Sequence, residues 1–137
     1  MRAFHSATIV TALIGSLAAA DDHLNAAIGP PNRALYRSIR ARDWQNPTII
    51  VQEDGVEVQA KGITGINGRQ HVPVEALKGL LISLPVDAWP YGRVVAQIDQ
   101  GYFPGPRYEE LRRIALTRTR VRDVLKSLRI TAKFWPA

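Results

Sequence analysis

Apolar positions along this 137-residue chain recur with two periods, and each period marks a different kind of element. In residues 73–84, Val74, Leu77, Leu80, Leu81 and Leu84 fall three or four apart, the stripe of an amphipathic helix. Pro73 suits its first turn, Glu75 suits the helix dipole, and Pro85 ends it. Residues 107–129 repeat the pattern over a longer helix. There Leu111, Ile114, Val121, Val124, Leu125 and Leu128 gather on one side, opposite Arg112, Arg120 and Lys126. Alternation with period two appears in residues 48–53, 56–60, 93–99 and 130–135, each rich in β-branched residues. In the last of these, Ile130, Ala132 and Phe134 are expected to share the inner face.

The punctuation between these runs predicts how they connect. Asp54-Gly55 joins the first two strand patterns as a hairpin signal. Residues 61–72, with Gly62, Gly65 and Asn67-Gly68, read as a loop or a small second hairpin folding back on the sheet edge. Residues 32–43 predict a short helix capped by Asn32, with Leu35, Tyr36 and Ile39 on one face, stopped at Asn46-Pro47. Polar and small residues at 21–32 read as a disordered leader. The expected fold is a two-layer α/β sandwich. One mixed sheet of about four strands carries two main helices on one face, with a short N-terminal helix in addition. The other face is expected to meet water or a partner. The domain itself is assigned to residues 47–137, preceded by the leader and short helix at 21–46.

The first twenty residues change the picture of where the chain works. Arg2 precedes an apolar run at 7–17, and Ala18-Ala19-Ala20 supplies a small-residue site before Asp21-Asp22. That is the pattern of a cleaved signal peptide over residues 1–20, with a retained anchor as the alternative. The expected location is secreted or periplasmic. The absence of cysteine removes disulfides and thiolate chemistry. The net charge of +6 favours an anionic partner, although arginine-rich composition alone names none.

Candidate chemistry is sparse. No GxxxxGK[ST] run is present, and the three His are scattered. Asp99, at the carboxyl end of a strand, is the best-placed catalytic acid, although capping the following loop is the favoured reading of it. No nucleophile–base pair accompanies it, so the chain is read as having no catalytic residue, no metal and no cofactor. Two binding surfaces suggest themselves. The first is an aromatic set in proline-stiffened segments, Trp89, Tyr91, Tyr102, Phe103 and Tyr108, suited to anchoring a partner. Trp89 and Tyr91 are as readily core residues. The second is a basic helix face, Arg112, Arg113, Arg120 and Lys126, suited to an anionic surface.

The strand–Asp-Gly–strand unit at 49–58, the helix at 74–84 and the helix–strand unit at 107–135 together resemble the periplasmic domains of the ExbD/TolR family, partners of proton-driven transport motors. The resemblance spans residues 47–135. Tyr91-Gly92-Arg93-Val94-Val95 is similar to a family segment that opens a helix, whereas here it reads as strand. Family members carry a membrane helix with a proton-bearing aspartate. Residues 3–20 contain no Asp or Glu, and the 61–72 segment is extra, so proton coupling does not carry over. What the resemblance implies is an exported, non-catalytic domain that binds a protein or cell-envelope component. The alternatives are a small periplasmic enzyme centred on Asp99 and a basic binder of an anionic polymer or nucleic acid.

Overall fold

The computed structural model describes residues 24–100 and 108–135. The expectations that fall on the signal segment, on Tyr102 and on Phe103 lie outside the described residues. Five strands form one mixed sheet in the order β3-β2-β1-β4-β5. They are β1 (Thr48–Val51), β2 (Val56–Gln59), β3 (Arg69–Val72), β4 (Val94–Asp99) and β5 (Thr131–Phe134). β1, β2 and β3 form an antiparallel meander. β4 and β5 join β1 in parallel, which requires crossovers, and two helices supply them. These are α2 (Val74–Ser83) and α3 (Tyr108–Ser127), and the first helix, α1, is only Arg33–Tyr36. The fold is therefore mixed α/β as expected, with five strands where about four were anticipated.

The additional strand is β3. Its sequence, RQHV, has one buried side chain, Val72, so no apolar alternation announces it. The hairpin before it also differs from expectation. Val51 pairs with Val56, so residues 52–55 form the loop, closed by the Gln52 N–H donating to Gly55 O. Gly55 is required by β3 as much as by the turn, since a Cβ there would lie 2.6 Å from Val72 O.

One sheet face meets both long helices, which pack on each other. Ile49, Val51, Val56, Val58 and Val95 point to that face and join Val74, Leu77, Leu81, Val121 and Leu125 in one core. Alternation explains the strands: Glu57 and Gln59 fall on the opposite side from Val56 and Val58. α2 stops because Leu84, preceding Pro85, is extended. α3 reaches the core only from Ile114, which leaves Leu111 exposed. It ends in a Schellman turn: Ile130 N–H donates to Leu125 O, Arg129 N–H donates to Lys126 O, and Arg129 takes φ 58°.

The opposite face is not open along β4. Residues 24–46, expected as a disordered leader and a helix, form a strap around the end of the sheet. Leu24 and Ile28 are buried in the helix-side core. Tyr36, with Ile39 and Trp44, packs instead on Tyr91 and Val94, on the other side of β4. The strap crosses where β4 begins. Arg93 N–H donates to Gly29 O, and Asn32 N–H donates to Tyr91 O. The Arg93 guanidinium donates to Ile28 O at 2.9 Å and to Leu128 O at 3.1 Å, tying the strap to the end of α3. Gly92, at φ 83°, allows the approach, because a Cβ there would lie 2.2 Å from Pro30 O.

Candidate binding surfaces around β5

β5 is an edge strand, so one row of its backbone groups has no strand partner among the described residues. Thr131 N–H donates to Arg93 O and Trp135 N–H donates to Gln97 O. A parallel ladder alternates, so Ala132 and Phe134 present their N–H and C=O outward. Phe134 shares the helix-side face with Ile130 and Ala132, as expected, yet is 64% exposed, because no element beyond β5 covers it among the described residues.

On the helix side of this edge lies a groove of about 310 Å³ between β5 and α3. Leu125, Ile130, Ala132 and Phe134 make its apolar walls, and Arg118, Arg122 and Lys126 stand over them. Arg118 is committed: its Nη1 donates to Asp99 Oδ2 at 2.8 Å. Asp99 Oδ1 accepts from Gln97 Nε2 at 3.3 Å. Asp99 therefore sits in a strand-to-helix ion pair, with both carboxylate oxygens engaged. Arg122 and Lys126 have no ion-pair partner among the described residues.

On the opposite side of the same strand lies a second cavity, about 400 Å³, lined by Arg33, Tyr36, Arg37, Thr131, Ala132 and Lys133. Its aromatic base is built from distant parts of the chain. Tyr36 and Trp44 meet edge to face at 5.6 Å, Trp44 and Tyr91 lie 4.9 Å apart, and Trp44 meets Trp135 at 5.0 Å. The Lys133 ammonium is 5.5 Å from the Tyr36 ring centre and 5.2 Å from that of Trp135. Asn46 holds this side together from below. Its Nδ2 donates to Gly92 O and Val94 O, and its Oδ1 accepts from Tyr91 N–H.

The residues singled out from the sequence are dispersed. Trp89 and Tyr91 are 4% and 6% exposed and belong to the core, so the turn does not present them to a partner. The Trp89 indole N–H has no hydrogen-bond partner among the described residues. Tyr108 is 79% exposed at the start of α3. The basic helix face is partly neutralised: Arg113 pairs with Glu53 at 3.1 Å and Arg120 pairs with Glu75. Arg112 is exposed, and Lys126 belongs to the groove. Sequence reasoning missed the Arg33, Arg37 and Lys133 group because its members come from opposite ends of the chain. The only local signal was the i, i+4 spacing of the two arginines.

Among the described residues, no group of three His, Asp or Glu side chains is placed to hold a metal ion. No helix of the described residues is long and apolar enough to cross a membrane. Comparisons with protein-family models, curated proteins and solved structures return no match.

Proposed function

We propose that this protein is an exported, non-catalytic envelope domain that holds an extended segment of a partner protein along β5. Export and a non-catalytic binding role are what its resemblance to the periplasmic domains of transport-motor accessory proteins implies. The observation that carries the proposal is the edge of β5, which has no strand partner among the described residues, beside an apolar groove. An added strand would bond to the outward backbone groups of Ala132 and Phe134. Alternate side chains of that strand would enter the groove between Leu125 and Phe134. Arg122 and Lys126 stand on the same helix side, so they favour acidic residues among the groove-facing positions, while the positions between point to the opposite face. The preferred segment is therefore extended, with apolar and acidic residues sharing every second position. An Asp99-centred enzyme gains no support, because Arg118 and Gln97 occupy that carboxylate.

Selection from a library of short displayed peptides tests this proposal. Enriched peptides should carry apolar and acidic residues together at every second position. Their binding should slow amide exchange at Ala132 and Phe134, and Arg122→Glu combined with Lys126→Glu should abolish it. Peptides that bind equally well to that double variant, or that protect a different surface, would contradict it.

A further inference from the structure

We infer that the cavity between α1 and β5 is a binding site for a phosphate group. Among the described residues, three cations line it, Arg33, Arg37 and Lys133, and no carboxylate does. None of the three has an ion-pair partner among the described residues, whereas Arg113, Arg118 and Arg120 on α3 are each matched to an acid. Uncompensated like charges around one cavity repel one another, and a bound anion relieves that repulsion. The group is also partly preorganised. Lys133 lies over the Tyr36 and Trp135 rings, which limits the freedom its ammonium would lose on binding. Tyr36 in turn is fixed by Trp44 and Tyr91.

The donor set favours phosphate over carboxylate. Two guanidinium forks and one ammonium come from two elements, and the Thr131 hydroxyl adds a fourth polar group at the rim. A carboxylate offers two oxygens in one plane and a single charge. A phosphate monoester offers three oxygens in a pyramid and close to two charges, matching donors from several directions. The same monoester group is carried by soluble phosphate esters and by the headgroup of phosphatidic acid. The cavity is open enough for either, and it lies on the opposite side of β5 from the apolar groove, so the inference stands independently of the proposed peptide site.

The test uses the full chain with two probes. Glycerol 3-phosphate is titrated while the Lys133 and arginine side-chain signals are followed by NMR. Separately, vesicles of phosphatidylcholine with and without phosphatidic acid are offered in a sedimentation assay. Binding of glycerol 3-phosphate identifies a soluble ester as a sufficient ligand. Preference for vesicles containing phosphatidic acid without response to the soluble ester identifies the headgroup at a membrane surface. In either case Lys133→Gln and the Arg33→Gln, Arg37→Gln pair should each weaken binding about tenfold or more, given the strength of charge-assisted hydrogen bonds. Lys133→Arg should retain it, and so should Arg112→Gln, which removes a charge elsewhere. Response to neither probe overturns the inference. So does an equal loss in Arg112→Gln, which would mark net charge as the cause. Near-ultraviolet circular dichroism confirms that each variant keeps its aromatic packing.

Discussion

The two sides of β4 are built on different principles. Toward the helices, Val95 joins an aliphatic core in which Leu77, Leu81 and Val121 have no exposed surface. Toward the strap, Val94 is covered by Tyr36 and Tyr91, with Trp44 beside them, and the supporting hydrogen bonds come from one buried amide, Asn46. The first side is held by volume and the second by ring contacts and specific polar bonds. The first side therefore tolerates changes of shape that preserve volume, while the second depends on particular atoms.

The largest effect is expected on the helix side. Leu81→Ala should lower the unfolding free energy by about 2–5 kcal/mol, because a fully buried side chain leaves a cavity. Urea denaturation reads this directly, and Leu81→Met should cost much less. On the strap side the sensitive position is polar. Asn46→Ala leaves Tyr91 N–H and Val94 O without their side-chain partner and removes one of two donors to Gly92 O, and should cost about 1–3 kcal/mol. Asn46→Leu fills the volume and should not recover the loss. Full recovery by leucine would show that the two sides differ less than the contacts indicate.

The same contrast explains what was legible in the sequence. Val74, Leu77 and Leu81 announce α2 because a helix stripe is a local pattern. Val56 and Val58 announce β2 for the same reason. β3 gave no such sign, because an edge strand with one buried side chain needs no alternation. The strap was hidden more deeply. Leu24 and Ile28 stand among polar and small residues, and the contacts that order them come from Arg93 and Gly92, more than sixty positions away. Phe134 shows the opposite error: its alternation with Ala132 is real, but strand period alone cannot say whether another element covers the face. Of the candidate sites, Lys126 and the exposed Tyr108 were visible, whereas the pairing of Arg113 and Arg120 with acids on other elements was not.

The smallest effect concerns the surface of the helix side. The Glu75 carboxyl is held below the usual carboxylate range, first by a hydrogen bond from its own backbone N–H, then by the hydrogen bond and charge of Arg120. A depressed pKa in the folded state means a contribution to stability that is present above the ordinary glutamate value, about 4.3. That contribution is lost as pH falls through the lowered value. In Arg120→Gln the Glu75 midpoint, followed by carbon-13 NMR, should rise part of the way back, since the backbone bond remains. An unchanged midpoint would show that the ion pair is not populated in solution.

The central claim is that residues 24–46 are a structural part of the domain rather than a leader to it. Amide hydrogen exchange on the intact protein tests it most directly, because Asn32 N–H is bonded to Tyr91 O and Arg93 N–H to Gly29 O. The account predicts that these two amides exchange as slowly as those of β4, opening only when the sheet does. Rapid exchange at Asn32 and Arg93 while Val95 and Gln97 stay protected would contradict it.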